Sequence, residues 1–230
     1  MTHPYTSTDR RPRRRTWSWG ALAALALGGV WSWTAAGGDE PGSGNPPRPS
    51  AAQAKAFESG RAEAAAPAAA SLPESAPVRV KIPVLDVDAP LTDLARTEEG
   101  GLEAPPPDDA NLAGWDEAGT LPGSTGTAVI AGHVDTPEGP AVFYGLGALK
   151  KGAKVKVTRE DGRTAEFTVD GVEEYEKDDF PSTKVYAPRA RPELRLITCG
   201  GNYSKSDGYS GNIVVYAHLT GSSSRPSAPQ

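Results

Sequence analysis

The chain contains a single cysteine, Cys199, and its position indicates a nucleophile. Cys199 follows the strand-like run LRLIT at 194–198 and precedes two glycines, so the thiol lies where a strand opens into a turn. An apolar segment near the N-terminus, described below, predicts that most of the chain is exported. Exported proteins generally use cysteines in pairs as disulfides, so a lone thiol is unusual in such a chain. A thiolate can attack a carbonyl carbon and form a thioester. The alternative is a buried, inert thiol, which is common for free cysteine.

His133 could supply the proton transfers that such a nucleophile needs. It follows the apolar run TAVIAG at 127–132, which is typical of a buried strand. Two strand ends can bring an imidazole and a thiol together although 66 positions separate them in the chain. His133 and Cys199 are the minimum set for acyl transfer through a thioester. The alternative for His133 is a hydrogen-bonded structural histidine.

The remaining candidate ligands give no indication of a metal or another cofactor. One cysteine and three scattered histidines cannot form a zinc site. The acidic pairs at 108–109, 173–174 and 178–179 lack EF-hand spacing and are typical of solvated loops. We interpret His218 as a strand-surface residue without a catalytic role. We therefore expect no metal and no cofactor.

An apolar segment near the N-terminus predicts a membrane anchor. Residues 17–36 carry no charge, have tryptophans at both ends, and would span roughly 30 Å as a helix. Five arginines lie just before it, within the basic segment 1–16, so the N-terminus is expected to be cytoplasmic and the rest extracellular. The small residues at 35–37 leave a cleaved signal peptide open as the alternative.

Net charge also separates the N-terminal segment from the rest of the chain. The first 36 residues carry five arginines and one aspartate, and the whole chain has a net charge of −5, so the remainder carries −9. An acidic outer domain argues against nucleic acid as a partner.

Composition predicts one folded domain between two polar segments. In the linker 37–77, 29 of 41 residues are Ala, Gly, Pro or Ser, so burial cannot offset the entropy of ordering it. Residues 221–230 form a short polar tail, which we expect to be disordered. Residues 78–220 remain and suffice for one hydrophobic core.

The domain pattern predicts an all-β fold. Apolar and polar residues alternate at 78–82 and 154–158, and Asp161-Gly162 marks a hairpin that leads into a returning strand at 164–169. About eight short strands with few helical patterns are typical of a sandwich or a barrel. Further strands are expected at 85–89, 127–131, 172–175, 193–198 and 212–219, and a short helix at 141–149.

Five segments carry a more specific pattern than the lone histidine and cysteine. They are IPVLDVDAPL at 82–91, the pairs Gly114-Trp115 and Pro122-Gly123, AVIAGHVD at 128–135, and LRLITCGG at 194–201. Behind an anchor and a linker, with His before Cys, they resemble the bacterial sortases, the cysteine transpeptidases of Gram-positive cell surfaces. The resemblance covers 78–220 and is greatest to class F (actinobacterial class E/F).

The resemblance implies a closed eight-stranded β-barrel with short helices and one active-site groove. It implies cleavage of an LPXTG-like sorting motif near the C-terminus of an exported protein and transfer to an amine, usually on a peptidoglycan precursor. Cys199 would attack the Thr–Gly carbonyl, and His133 would protonate the leaving amine and deprotonate the incoming one. The implied partners are sorting-signal peptides and a peptidoglycan-type amine, with membrane lipid contacted through 17–36.

The chain departs from the sortase pattern at the arginine that stabilises the oxyanion. Where it is expected, on the strand after Cys199, the chain has Ser210, and no arginine occurs between the cysteine and the C-terminal tail. Lys205 could act as a point charge, without a guanidinium's fork. By strand alternation, Arg195 lies on the same face as Cys199. The two residues are, however, separated by roughly 13 Å along the strand. Backbone N–H groups near Gly200 could also donate, so the third catalytic residue stays open.

Two alternatives to a sortase follow from the same residues. The first is another extracellular cysteine enzyme of the cell wall, such as an L,D-transpeptidase or a peptidase. Papain-like enzymes place Cys before His, and L,D-transpeptidases carry a Ser-His-Gly-Cys type motif that this chain lacks. The second is a catalytically weak peptide-binding module that kept the groove and lost its arginine. Reaction of the thiol with substrate would exclude the second.

Overall fold

The computed structural model describes residues 45–58, 69–98 and 101–224. The predicted cytoplasmic segment at 1–16 and the predicted membrane anchor at 17–36 lie outside the described residues. Parts of the predicted linker and tail also lie outside them. Within the described ranges, no helix is long and apolar enough to cross a membrane.

Eight strands close into one mixed β-barrel, as the sortase resemblance implies. The barrel strands are β1 Pro77–Ile82, β2 Val87–Leu94, β3 Ala113–Asp116, β4 Gly126–Gly132, β7 Lys154–Arg159, β8 Arg163–Glu176, β9 Pro192–Ser204 and β10 Gly208–Ser224. The barrel order is β1-β2-β3-β4-β9-β10-β8-β7, and β7 pairs with β1 to close it. The pairs β2/β3 and β4/β9 are parallel, and the other pairs are antiparallel.

The remaining elements are short. Strands β5 (Asp135–Thr136) and β6 (Gly139–Pro140) form a small hairpin directly after the end of β4. Helix α1 covers Ala51–Glu58 and helix α2 covers Ser182–Tyr186. Single 3-10 turns lie at Pro83–Leu85, Leu146–Ala148 and Lys177–Asp179.

Alternation along the strands separates a barrel interior from an outer face. On β9, Leu194 and Leu196 lie in the core, whereas Ile197 packs outside. On β10, Ile213 and Val215 lie in the core. Burial of such side chains contributes about 1.5–3 kcal/mol each, so a one-residue slip that turned them outward would be strongly disfavoured. The core therefore fixes which side chains of β9 and β10 face outward.

A second apolar cluster covers the outer face of β8, β9 and β10. Its buried members are Val185 of α2 with Val214 and Tyr216 of β10. Phe57 of α1 packs against it, with 4.9 Å between its ring centroid and that of Tyr216. The part of the predicted linker at 51–58 is therefore helical and lies on the barrel.

Local patterns predicted most strands, but the structure differs from the predictions at several places. For example, residues 221–224 of the tail that we expected to be disordered belong to β10. The strands expected at 164–169 and 172–175 are one continuous strand, β8. The four-residue strand β3 was not predicted, and the expected helix at 141–149 is only a 3-10 turn at Leu146–Ala148. Phe143, Leu146 and Leu149 follow one another at intervals of three in that segment, and they are apolar residues of a compact loop that pack into the core. The predicted hairpin turn is confirmed, with Gly162 at a φ of 77°.

Candidate active site

Cys199 lies on the outer face of β9, at the point where the pairing with β10 becomes irregular. It is half-buried, and its pairing partner on β10 is Asn212. The next residue, Gly200, faces the interior, where an added Cβ would lie 2.6 Å from Ile213. The strand therefore presents the thiol to the outside while its neighbours close the end of the core.

His133 follows directly after β4, the parallel neighbour of β9. Ala131 pairs with Ile197, so the same register continued by two positions places His133 beside Cys199. Neighbouring strands lie about 4.8 Å apart. The side chain of Thr198 donates a hydrogen bond to the carbonyl of Gly132 at 2.8 Å. This bond joins the two strands one residue before Cys199 and His133. The structure therefore brings the two residues that we predicted to react onto adjacent strand ends.

The backbone around His133 is held by tight packing. An added Cβ at Gly132 would lie 2.7 Å from the Phe143 ring, so only glycine fits without a shift. The Phe143 N–H donates to the carbonyl of His133 at 3.0 Å. The glycine that precedes the histidine thus permits a close approach that fixes the histidine's backbone.

A hydrogen bond to Pro105 fixes the tautomer of the neutral His133 ring. Its Nε2 lies 2.7 Å from the Pro105 carbonyl oxygen. A carbonyl oxygen can only accept, so Nε2 carries the proton and donates it. In the neutral ring, Nδ1 is therefore the nitrogen with a free lone pair and is the one that can take a proton.

Burial raises the pKa of the Cys199 thiol above its ordinary value. The nearby positive charge of Lys177 lowers this pKa in part, and the negative charge of Asp135 raises it further. Desolvation disfavours the charged thiolate, so the neutral thiol is the main resting form near neutral pH. The thiol then needs an adjacent base when it attacks.

Tyr209 joins the segment after His133 to the start of β10. Its hydroxyl donates a hydrogen bond to the carboxylate of Asp135, two residues after the histidine. Burial and then this hydrogen bond raise the pKa of Tyr209 above its ordinary value. The phenol therefore stays protonated, and remains a donor, across the whole physiological pH range.

A β-bulge occupies the position where an arginine was expected. Tyr209 pairs with Tyr203, but Gly211 pairs with Gly200, so two residues of β9 oppose Ser210 alone. One of the two is Gly201, which has a φ of 85°, a conformation that favours glycine.

The Ser210 hydroxyl accepts a hydrogen bond within this bulge. Ser210 Oγ accepts the Asn202 N–H at 3.1 Å. An added Cβ at Gly201 would lie 2.5 Å from that oxygen, which leaves no room for a larger residue there. Ser210 therefore stabilises the bulge.

Comparison with known proteins identifies the domain. A family model described as the sortase domain matches residues 80–220, which is more than half of the chain. The chain belongs to the sortase family. Sortases are cysteine transpeptidases, so the chain is an enzyme of this type. A comparison with curated proteins found no match.

Solved sortase structures share this fold. Sortase A of Listeria monocytogenes is 18% identical with a TM-score of 0.50, and the match covers 67% of this chain and 93% of that one. The SrtA sortase of Actinomyces oris is 19% identical with a TM-score of 0.50, and the match covers 73% of this chain and 93% of that one. At such identities the likeness shows the fold alone.

The two cations that we considered for this sortase's oxyanion have other surroundings. Arg195 is 1% exposed, its guanidinium donates to the Glu193 carboxylate at 2.7 Å, and it lies 4.5 Å from the centroid of the Tyr216 ring. Lys205 is exposed in the turn between β9 and β10. Among the described residues, neither forms a hydrogen bond or ion pair near Cys199.

His218 is a buried residue, and our surface interpretation of it was wrong. It is 3% exposed, and its Nδ1 lies 2.8 Å from the Asp170 carboxylate. It is on the outer face of β10, six residues after Asn212, and contributes to a polar cluster remote from the thiol. Over the described ranges, no group of His, Cys, Asp and Glu residues could hold a metal ion.

Proposed function

We propose that this sortase cleaves an LPXTG-like sorting motif through a thioester on Cys199 and transfers the acyl group to a cell-wall amine. One observation carries the proposal: His133 and Cys199 lie side by side at the ends of the parallel strands β4 and β9. The Thr198 hydrogen bond joins these two strand ends. Sortases as a family act on sorting signals and amine acceptors. The particular motif and amine are the proposed part.

In the first half-reaction, the Cys199 sulfur forms a bond to the Thr carbonyl carbon, and its proton passes to Nδ1 of His133. The carbon–nitrogen bond to the following glycine then breaks, and the imidazolium gives its proton to the leaving amine. The hydrogen bond from Nε2 to Pro105 holds the ring with Nδ1 available throughout. The product of this half-reaction is the acyl thioester on Cys199.

The second half-reaction is the reverse with another amine. The incoming amine attacks the thioester carbonyl, and Nδ1 of His133 takes its proton. The carbon–sulfur bond breaks, and the imidazolium returns a proton to the Cys199 sulfur. A half-buried thioester is shielded from bulk water, which favours transfer to the amine over hydrolysis.

We place the acyl part of the sorting peptide along the outer face of β4. A cleft of about 700 Å³ follows this face from Val129 toward Tyr186 at the end of α2. Thr127 donates a hydrogen bond to the Ala187 carbonyl at 2.7 Å, which ties the β8–β9 connection to β4 and forms one wall of the cleft. Val129 is the lining residue of the cleft that is nearest to His133 along β4, and neither His133 nor Cys199 lines the cleft.

Sortase domains act on the outside of bacterial cells, and we propose that residues 17–36 anchor this one as a single-pass helix with a cytoplasmic N-terminus. The uncharged span, its terminal tryptophans and the preceding arginines support the anchor. The segments at 82–91 and 194–201 support assignment to class F. The mass of the mature protein from a membrane fraction distinguishes a retained anchor from a cleaved signal peptide.

The proposal is tested with the full-length chain and a library of sorting-type pentapeptides, with glycine or a diaminopimelate-like amine as acceptor. Mass spectrometry follows the products and any acyl adduct on Cys199, and Cys199→Ala is the control. We expect an adduct and a transpeptidation product for at least one motif. Intact peptides and an unmodified thiol across the library would refute the proposal and favour the weak binding module.

A further inference from the structure

The described site supplies a nucleophile and a base but leaves the oxyanion unassigned. When the Cys199 sulfur adds to a carbonyl, the carbonyl oxygen takes up negative charge, and one preorganised donor aimed at it is worth roughly 10²–10³ in rate. Ser210 stands where the arginine is expected, and its hydroxyl lies in the bulge. Arg195 is paired with Glu193. Besides the backbone N–H groups near Gly200, the side chains beside the thiol are therefore the remaining candidates for a donor.

Asn212 is the residue that faces Cys199 across the β9/β10 pair. The two are direct pairing partners, so their Cα atoms are expected to lie about 4.5–5.5 Å apart. The next residue on β10, Ile213, lies in the core, whereas Val214 lies in the outer cluster. Side chains alternate along a strand, so Asn212 is on the outer face together with the thiol.

The Asn212 carboxamide is available to a substrate. Among the described residues its side chain forms no hydrogen bond, and the residue is half-buried. An amide group carries two N–H donors on a short side chain, which can point at a carbonyl oxygen held above the neighbouring sulfur. A neutral donor supplies direction but no net charge, so a separate positive charge would complete the arginine's role.

Lys177 provides a positive charge at the end of β8, so that Asn212 on β10 lies between it and Cys199 on β9. It follows Glu176, the residue of β8 that pairs with Gly211 of β10, so it lies two strands from Cys199 at the same end of the barrel. It is exposed, and it is the cation whose charge acts on the Cys199 thiol. Its long, flexible stem allows the ammonium group to approach an anion above β10.

We propose that this chain divides the work of the missing arginine between two residues: the Asn212 carboxamide donates to the oxyanion, and the Lys177 ammonium stabilises its charge. This inference rests on the proposed function. Asn212 is then a catalytic residue, because it touches the reacting carbonyl oxygen. Lys177 is an electrostatic residue that acts over a longer distance and through solvent.

The test compares variants of the full-length chain by acyl transfer and by alkylation of Cys199 with iodoacetamide, which forms no oxyanion. Asn212→Ala, and Asn212→Asp with nearly the same shape, should lower kcat by about 10²–10³ with little change in KM. Their alkylation rates per thiolate should stay close to wild type, which a merely structural loss would not allow. Asn111→Asp, on an exposed loop, is the matched control.

Lys177→Gln should lower kcat less, by about tenfold. Lys177→Arg keeps the positive charge and should keep kcat near the wild-type value. Raising the ionic strength from about 0.1 to about 1 M shortens the Debye length from about 10 to about 3 Å, so it should slow the wild type but not Lys177→Gln. Lys150→Gln, at an exposed lysine to which no catalytic role is assigned, is the matched control. It should retain wild-type activity and its salt dependence.

The outcomes separate this inference from the proposed function. A wild-type chain that forms no acyl adduct overturns the proposed function, and this inference with it. An active wild type whose Asn212→Ala variant keeps kcat within about threefold overturns the donor role alone. If Asn212→Ala fails to fold, Asn212→Asp decides the same question. A Lys177→Gln variant with unchanged kcat and unchanged salt dependence overturns the charge role.

Discussion

The buried position of Cys199 predicts how the reactivity of its thiol changes with pH. An ordinary cysteine thiol, with a pKa near 8.5, is about 3% thiolate at about pH 7. Burial raises the pKa of Cys199, and Asp135 raises it further, so its thiolate fraction at that pH lies below this value. Each unit of increase in the pKa lowers the fraction tenfold and corresponds to about 1.4 kcal/mol.

The assay is the rate of iodoacetamide alkylation, read by intact mass. Because the chain has one cysteine, every adduct reports on Cys199, and Cys199→Ala gives the background. The rate should rise about tenfold per pH unit between about pH 6 and pH 8, with no plateau below about pH 8.5. At one pH near neutral, the chain unfolded in urea should react faster than the folded chain, because unfolding returns the thiol to water.

A plateau that begins between about pH 5 and pH 7 would refute this reasoning, because it would show a resting thiolate stabilised by an imidazolium. The attacking species would then be present before substrate binds. His133 would begin the reaction as an acid rather than as a base. The mechanism proposed above would change in its first proton transfer.

Three further substitutions test the elements that hold the site. Thr198→Val removes the hydrogen bond between the ends of β4 and β9 and should lower the free energy of unfolding by about 1 kcal/mol in urea titrations; an unchanged midpoint would contradict the bond's role. Tyr209→Phe removes the donor to Asp135 and should cost about 0.5–1.5 kcal/mol; the loss should persist up to about pH 9, because the pKa of Tyr209 is raised, and a loss confined to low pH would argue otherwise. Phe57→Ala removes a ring that packs on Tyr216 and should cost at least about 0.5–1.5 kcal/mol in thermal unfolding; equal melting temperatures would show that α1 adds nothing to stability.

Local sequence patterns predicted the parts of the fold that depend on neighbours in the chain. Period-two alternation identified β7 and the start of β8, because each strand has one face in the core. Alternation also predicted that Arg195 and Cys199 share a face. The family motifs supplied the closed barrel, which no local pattern encodes, because closure depends on which strands lie side by side.

The partner of Cys199 could not be predicted from the sequence, because it depends on the bulge at Ser210. Tyr203 pairs with Tyr209, and an unbroken register would then place Ile213 opposite the cysteine. The extra residue on β9 shifts the pairing by one, so Asn212 takes that place. The signal was present in Gly201, whose left-handed conformation is typical of such bulges. A glycine pair alone does not indicate which residue bulges.

The proximity of Lys177 was likewise hidden, because it directly follows β8, a strand that is separated from Cys199 by β10. The role of residues 45–58 was hidden for another reason. Their composition is that of a linker, and only Phe57 marks the place where helix α1 contacts the barrel. A single aromatic residue in such a segment is a weak signal until its partner surface is known.

The parallel pairing of β4 and β9 has a consequence for how the enzyme comes into existence. Parallel neighbours cannot be joined by a tight turn, and here residues 133–191, including β7 and β8, lie between them. Closing so long a loop costs entropy before any contact repays it, so such pairings form late and slowly. A chain in which β4 and β9 have not yet paired therefore keeps its thiol and its imidazole apart. The two residues lie side by side only once these strands pair within the closed barrel.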